Sequence, residues 1–327
     1  MYFSLRERKR IAPLISRISQ TVYRGNDKLF VVQIQRSANS LRFHVTCDNP
    51  SDPGVLIKIT RTPSTQGHLG PGIASLPSVS RRLQEEFRAQ VPAWLHIPEV
   101  YYSSDDERAI VMKYVNGTNF KSLLTRPKSL PGLDHGWVAG QAGRALARWH
   151  LFGQTRSGFR TGDPSHVESI GVLSYLDFST WNVRVGSNMK SIALLDFPGV
   201  EIVAARERDL ATFLHSLLVV RHHPLSKIKQ LTWWDWREAF AAFLDGYASE
   251  SGIGPTGVDL NLVVEYLRAS IRMESEHYRR HRIHPRLALE GFWYSRLEAH
   301  PALSVETLQE VLVGKHWTAR EHRAEDS

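Results

Sequence analysis

The chain has 327 residues, of which 42% are hydrophobic and 23% are charged, and these values are typical of a soluble globular protein of one large domain or two lobes. The formal net charge is +8, which favours an anionic partner such as a nucleotide, a phosphorylated substrate, a nucleic acid or a membrane surface. No apolar run is long enough for a membrane-spanning helix, and the single cysteine, Cys47, excludes an internal disulfide.

The sequence has the features of neither a secreted protein nor a nucleic-acid-binding protein. The N-terminal residues 1–6 are followed by charged residues rather than by an apolar stretch, so we expect no signal peptide and a cytoplasmic location. RNP, zinc-finger and helix-turn-helix signatures are all missing from the sequence, so we expect no nucleic acid partner.

The first predicted element is an amphipathic helix within residues 6–20. Ile11, Leu14 and Ile18 fall on one helical face, and arginine and lysine residues surround this stripe. Because Pro13 interrupts the pattern, we expect the helix to begin near that residue. The favoured interpretation is that the stripe packs on the first lobe, and the alternative is peripheral membrane contact through residues 6–20.

The next elements are short strands and one helix. Turn-punctuated apolar runs predict an antiparallel meander at 29–34, 41–46 and 55–60, followed by a loop at 62–77, a helix at about 79–90 and strands at 100–102 and 109–112. From Trp137 onwards helical spacing dominates. It predicts helices at about 137–152, 209–220, 233–247, 260–279, 287–299 and 305–313, and a polar tail from 315 to 327.

A short hairpin interrupts the helical part. Apolar residues in 183–185 and 192–195 predict its strands, and residues 186–188 predict the turn. The hairpin lies between Asp177 and Asn182 on one side and Asp196 on the other. One carboxylate could take a proton from a hydroxyl, while the amide and the other carboxylate hold Mg²⁺, as phosphoryl transfer requires.

The motif Asp177-x-x-x-x-Asn182, followed by Asp196-Phe197-Pro198-Gly199, resembles the aminoglycoside phosphotransferase and choline kinase-like family of the protein-kinase-like superfamily. The resemblance covers roughly residues 30–247. It implies an α+β, bilobal protein-kinase-like fold with an antiparallel N-lobe sheet and one helix. The implied nucleotide-binding N-lobe spans residues 1–115, and the implied catalytic and acceptor-binding C-lobe spans 116–327.

The resemblance also implies roles for these residues. Asp177 would be the catalytic base, and Asn182 and Asp196 would bind Mg²⁺. Lys58, which follows three apolar residues in the third strand, would bind the α and β phosphates of ATP.

Three more residues are implied to contact or support the nucleotide. Glu86 would pair with Lys58, with Glu85 as the alternative. Backbone groups of Lys113 and Val115 would meet the adenine at the connection between the lobes.

The sequence departs from the family in two places. Tyr175 stands where the family usually has a histidine, two residues before the base, and the strand-connecting segment 36–40 has no glycine. Asp209 resembles a family residue that caps its helix and ties down the backbone of the catalytic loop. An ordinary helix N-cap is the alternative, and both roles can hold at once.

We therefore expect a phosphotransferase that uses ATP and Mg²⁺ and acts on a hydroxyl, with GTP as the alternative donor. The net positive charge favours a neutral or anionic acceptor: a small molecule, a sugar, or a glycan or lipid headgroup. The alternative is a catalytically weak kinase-like protein that binds a nucleotide or a partner. A protein kinase is a third interpretation, although no Ala-Pro-Glu signature follows Asp196. The basic run 278–286 predicts either an anion contact of the acceptor or a solvated face.

Overall fold

This computed structural model describes residues 5–23, 28–36, 40–49, 51–60, 76–125, 134–156, 171–186, 189–222, 234–253, 257–280, 293–294, 296–297 and 304–313. The strands are β1 Phe30–Arg36, β2 Ser40–Thr46, β3 Val55–Thr60, β4 Leu95–His96, β5 Val100–Ser104, β6 Ala109–Lys113, β7 Thr118–Asn119, β8 Gly171–Leu173, β9 Val183–Val185, β10 Ile192–Leu194 and β11 Val203–Ala205. The helices are α1 Leu5–Thr21, α2 Pro77–Arg88, α3 Phe120–Thr125, α4 His135–Thr155, α5 Glu207–His222, α6 Trp236–Ser251, α7 Leu260–Arg280 and α8 Val305–Val313. Most of the predicted loop 62–77, most of the predicted helix 287–299 and the polar tail lie outside the described residues.

An N-terminal antiparallel sheet has the strand order β1-β2-β3-β6-β5 within the described part of the chain. Strands β1, β2 and β3 are consecutive in sequence and adjacent in space, which confirms the predicted meander. In the β2–β3 register, Arg42 lies opposite Lys58. Side chains that lie directly opposite each other on paired strands project from the same face of a sheet, so Arg42 and Lys58 share one face.

The other face of this sheet is covered by α1. Phe43 and Ile57 are fully buried there, and Ile11, Leu14 and Ile18 of the helix belong to the same hydrophobic core. The favoured interpretation of the amphipathic stripe is therefore the one seen in the structure. The apolar residues that would have entered a membrane are occupied by packing, and no described helix has the length and hydropathy to span one.

The expectation that α1 begins near Pro13 is wrong. The helix begins at Leu5, and Pro13 lies inside it. Proline removes one backbone hydrogen bond from a helix interior and strains the preceding turn. Pro13 is exposed, so it does not disturb the apolar face, and the burial of residues on both sides of it offsets the lost bond.

Replacing Leu14 by Ala is expected to lower the free energy of unfolding by about 2–5 kcal/mol, because the substitution leaves a cavity between α1 and the sheet. Leu14 is 2% exposed. Chemical denaturation would measure the change. The matched control is Ser16→Ala on the exposed side of the same helix. Equal stability of the two variants would contradict the packing of α1 on the sheet.

The C-terminal part is mostly helical. Helix α4 packs along α6, and α5 packs along α7. The predicted hairpin is confirmed: β9 and β10 pair antiparallel, and they extend into a small sheet with the order β4-β10-β9-β7 among the described strands. This part of the chain and the N-terminal sheet together confirm the predicted α+β class.

Helix α2 joins the core of the helical part. Its Phe87 ring lies 5.2 Å from Trp149 of α4 and 6.1 Å from Phe197, which follows Asp196. The Ser80 hydroxyl donates to the Phe197 carbonyl at 3.0 Å. Helix α2 therefore couples the packing of the helical part to the segment that carries Asp196.

Candidate functional site

Asp177 lies in the loop of residues 174–182, which connects β8 to β9 and is called the Asp177 loop below. Two features shape it: a backbone hydrogen bond of 2.9 Å from the Asp177 N–H to the Tyr175 carbonyl, and a left-handed φ of 72° at Leu176. This φ costs free energy in a residue with a Cβ and a bulky side chain. The surrounding contacts must therefore hold the loop in this conformation.

Asp209, the third residue of α5, supplies those contacts. Its side chain is fully buried and accepts hydrogen bonds from the backbone N–H groups of Tyr175 (2.7 Å) and Leu176 (3.0 Å), and from the Ser174 hydroxyl (2.9 Å). The prediction that Asp209 ties down this loop is confirmed. Because Asp209 lies inside α5, it is not the N-cap of that helix.

A buried histidine completes the surroundings of Asp209. His150 Nε2 lies 3.0 Å from Asp209 Oδ2, and His150 Nδ1 lies 2.7 Å from the Tyr247 hydroxyl. An ionised carboxylate only accepts, so Nε2 carries the hydrogen in this contact. In the neutral ring Nδ1 is then an acceptor, and the Tyr247 hydroxyl donates to it.

Asn182 lies at the other end of the Asp177 loop, directly before β9. Its Nδ2 donates to the Asp177 backbone carbonyl at 2.9 Å and to the Asp177 carboxylate at 3.0 Å. With Nδ2 committed to Asp177, the Oδ1 atom of Asn182 is the side-chain atom that can bind a cation. The structure therefore brings the predicted base and one predicted metal ligand into direct contact.

Asp196 follows β10 and adopts a left-handed φ of 65°. Two cations from the sheet bind its carboxylate: Lys58 pairs with Oδ1, and Arg42 Nη2 lies 2.6 Å from Oδ2. Burial alone would raise the pKa of Asp196, but the positive charges of Lys58 and Arg42 outweigh it and hold the pKa below its ordinary value. Asp196 is thus ionised, and Arg42 of β2 and Lys58 of β3 hold its carboxylate in position.

Asp177 has the opposite electrostatic environment. The residue is exposed, and nearby protein atoms partly desolvate its carboxyl group. This desolvation, and then the negative charge of Asp196, raise the pKa of Asp177 to about 6, although the hydrogen bond from Asn182 and the charge of Lys58 work against the increase. A carboxylate with a pKa in this range suits a general base near neutral pH.

Tyr175 replaces the histidine of the family pattern, and the structure gives it a clear role. The side chain is 1% exposed, and its hydroxyl donates to the Leu195 carbonyl at 2.7 Å. Its ring lies 5.2 Å from Phe178 and 5.4 Å from both Trp149 and Phe197. Tyr175 therefore connects the Asp177 loop to the segment that carries Asp196.

Replacing Tyr175 by Phe is expected to lower the free energy of unfolding by about 1 kcal/mol, because the Leu195 carbonyl loses its hydrogen-bond donor while the ring packing is kept. Chemical denaturation would measure this loss. The matched control is Tyr266→Phe, at a partly buried position on the edge of the same core. A loss no greater than that of the control would contradict the connecting role of Tyr175.

Lys113 and Val115 lie where the sheet passes into the helical part. The Lys113 N–H donates to the Glu99 carbonyl at 2.8 Å, and the Val115 carbonyl accepts a hydrogen bond from Arg184. The prediction of backbone contacts to adenine therefore depends on the Lys113 carbonyl and the Val115 N–H. Gly117, at φ 124°, ends this connection, and a Cβ there would lie 2.1 Å from the Val185 carbonyl oxygen.

The structure does not bring Glu86 to Lys58. The Glu86 carboxylate binds Arg156, and Glu85 pairs with Arg81 on the exposed side of α2. Helical geometry explains this outcome, because the face of α2 directed inward carries Ser80, Leu83, Gln84 and Phe87. In this structure Lys58 pairs with Asp196 instead.

One cleft between the sheet and the hairpin brings the other predicted residues together. It is lined by Gln33, Arg42, His44, Leu56, Lys58, Met112, Lys113, Tyr114, Val115, Asn119, Trp181, Asn182, Arg184, Leu195 and Asp196. Lys58, Asn182 and Asp196 lie in the same cleft as Lys113 and Val115, and Asp177 adjoins it through Asn182. These contacts join chain segments that are far apart in the sequence.

Sequence reasoning missed His44, Tyr114 and Arg184, which line this cleft. The rings of His44 and Tyr114 are stacked, with their centroids 3.6 Å apart and an interplanar angle of 8°. The Cζ atom of Arg184 lies 5.1 Å from the centroid of the Tyr114 ring. Arg42 was missed as well. The alternation of apolar and polar residues in 41–45 was the available signal, because it places Arg42 and His44 on the face that carries Lys58.

The donor atoms of this site fit Mg²⁺. Magnesium prefers oxygen ligands and is commonly held by one or two protein carboxylates together with phosphate oxygens. Asp196 and the Oδ1 atom of Asn182 are such ligands. In the described ranges, no group of three or more His, Cys, Asp or Glu side chains could hold a metal ion without phosphates.

No protein-family model matches the sequence, and no curated protein matches it. Among solved structures, a Plasmodium vivax ethanolamine kinase superposes with a TM-score of 0.51 at 10% identity, covering 93% of this chain and 92% of that chain. A glucosamine kinase has a TM-score of 0.49 at 12% identity, covering 84% and 95%. The first likeness shows the fold. This chain has a bilobal protein-kinase-like fold of the kind found in an ethanolamine kinase, as the resemblance in the sequence predicted.

Proposed function

We propose that the protein is a phosphotransferase that moves the γ-phosphoryl group of ATP or GTP to a hydroxyl of a small molecule, a sugar, or a glycan or lipid headgroup. The observation that carries this proposal is the meeting of Asp177, Asn182, Asp196 and Lys58 at one cleft of a protein-kinase-like fold. Each residue type matches one requirement of phosphoryl transfer, which depends on positioning and charge stabilisation.

The roles follow from the chemistry of the side chains. Asp177, with its raised pKa, orients the acceptor hydroxyl and takes its proton. Asn182 and Asp196 hold Mg²⁺, which neutralises charge on the phosphates when it is bound. Lys58 binds phosphate oxygens. The backbone of Lys113 and Val115 supports the base of the nucleotide.

The proposed division of labour places nucleotide binding in an N-lobe of residues 1–115. The C-lobe, residues 116–327, supplies the catalytic residues and binds the acceptor. A neutral or anionic acceptor is favoured by the net charge of +8, with the basic run 278–286 as a candidate contact. A cytoplasmic location stays a prediction from the sequence.

Transfer of labelled γ-phosphate from ATP and from GTP to a panel of hydroxyl compounds tests the proposal. The panel contains amino alcohols, neutral sugars and anionic sugars, and each reaction is run with Mg²⁺ and with a chelator. We expect Mg²⁺-dependent transfer to at least one acceptor, identified by mass spectrometry of the product.

Tyr175 and the glycine-free segment 36–40 favour a second candidate, a catalytically weak protein that binds a nucleotide or a partner. Mg²⁺-dependent nucleotide binding without transfer to any acceptor would support that candidate. Absence of both nucleotide binding and transfer would reject the phosphotransferase and the nucleotide-binding form of the second candidate.

A further inference from the structure

Arg42 and Lys58 form a pair of like charges on adjacent strands. They are directly opposite each other in the β2–β3 register, and both side chains face the cleft. Opposite residues of an antiparallel pair have Cβ atoms about 5 Å apart, and like charges at this spacing repel each other. An anion between the two cations therefore stabilises the arrangement.

In the structure that anion is a single carboxylate. Asp196 binds Lys58 through one oxygen and Arg42 through the other. Both cations stay accessible from the cleft, since the Lys58 side chain is 24% exposed and the Arg42 side chain 34%. One negative charge shared by two positive charges leaves an excess of one positive charge at this point.

The excess extends along the cleft. Among its described lining residues, Arg42, Lys58, Lys113 and Arg184 are basic, and Asp196 is the acidic residue. Such a surface attracts a ligand with several negative charges. The segment 36–40 before Arg42 has no glycine, so the usual cradle of glycine amides over the phosphates is missing from the sequence.

We propose that Arg42 is a second phosphate-binding residue, which acts with Lys58 in place of a glycine-rich loop. On nucleotide binding, both cations exchange the Asp196 carboxylate for phosphate oxygens, and Asp196 becomes free to bind Mg²⁺. The planar guanidinium of Arg42 can donate two parallel hydrogen bonds to a phosphate, which the ammonium of Lys58 cannot. This inference rests on the proposed function, because it assumes that the cleft binds a nucleoside triphosphate.

Calorimetric titration with ATP and GTP, each with and without Mg²⁺, tests the inference in the full chain. We expect Arg42→Ala to weaken triphosphate binding about tenfold, the loss typical of one charge-assisted hydrogen bond. Arg42→Lys should keep part of the affinity. The matched control is Arg81→Ala, because Arg81 lies on the exposed side of α2 and pairs with Glu85.

Asp196→Asn gives a test with the opposite sign. This substitution removes the carboxylate that competes for the two cations, so Mg²⁺-free ATP binding is expected to become several-fold tighter than in the wild type. Adding Arg42→Ala to Asp196→Asn should reduce that gain, because Lys58 is then the remaining one of the two released cations. A merely structural role of Arg42 predicts no such reduction, because the release of Lys58 alone would then account for the gain.

The outcomes separate this inference from the proposed function. If the wild type binds ATP or GTP and Lys58→Ala weakens that binding while Arg42→Ala does not, the role of Arg42 is rejected and the proposed function stands. If the wild type binds neither nucleotide, both are rejected. Weaker binding in Arg42→Ala, together with tighter Mg²⁺-free binding in Asp196→Asn, supports the inference.

Discussion

Replacing Asp177 by Asn is expected to lower the turnover of phosphoryl transfer by about 10²–10⁴-fold, the range typical of a general base. The amide cannot accept the proton of an acceptor hydroxyl, although it is similar to the carboxylate in size. Nucleotide binding should be kept, because Asp177 approaches the cleft through Asn182 and is not part of its lining. Steady-state kinetics on the acceptor found in the panel, together with calorimetric nucleotide titration, would measure the two effects separately.

The matched control for this experiment is Asp106→Asn, which makes the same chemical change at an exposed position in the turn between β5 and β6. The control should have the turnover of the wild type. Turnover of Asp177→Asn close to that of the control would contradict the role of Asp177 as the base. A joint loss of turnover and nucleotide binding would point instead to a collapsed site.

Replacing Asp209 by Ala is expected to lower the free energy of unfolding by about 3–5 kcal/mol and to reduce turnover as well. The carboxylate accepts hydrogen bonds from Ser174, Tyr175, Leu176 and His150, and its removal would leave several of these buried donors unpaired. The left-handed conformation of Leu176 would also lose its support. Denaturant titration and kinetics on the same preparations would measure both losses.

Asp235→Ala is the matched control, because Asp235 caps α6 by accepting one hydrogen bond from the Arg237 N–H at 2.9 Å. Loss of such an exposed cap typically costs about 1 kcal/mol. We expect Asp209→Ala to be much less stable than this control. Comparable stability of the two variants would show that the Asp177 loop does not depend on Asp209.

The sequence predicted the elements whose pattern is local. The meander, the hairpin and the helix at 305–313 were recognised because period-2 and period-3.6 spacing of apolar residues reports burial within a single segment. The start of α1 was misplaced for the same reason. A local rule treats Pro13 as a helix start, whereas burial of Leu14 against the sheet compensates for a proline inside the helix.

The candidate site also contains residues that a local pattern predicts and residues whose contacts depend on tertiary packing. The order and spacing of Asp177, Asn182 and Asp196 could be recognised in the sequence because these residues flank one hairpin. Residues that flank a short hairpin are close in space, as the contact between Asn182 and Asp177 shows. The partner of Lys58, by contrast, could not be predicted from the sequence. Glu86 precedes Phe87, as an acidic residue precedes an aromatic residue in many members of the family that the sequence resembles. The direction of its side chain, however, depends on which face of α2 packs inward.

The sequence by itself therefore determined the fold class, the hairpin with its flanking acids and amide, and the order of the implied nucleotide-binding residues. Only the tertiary structure decided which charges meet. Arg42 and Asp196 are 154 positions apart, and they touch because the sheet closes over the hairpin. Electrostatic contacts of this kind depend on distance in space, and no periodicity along the chain encodes that distance.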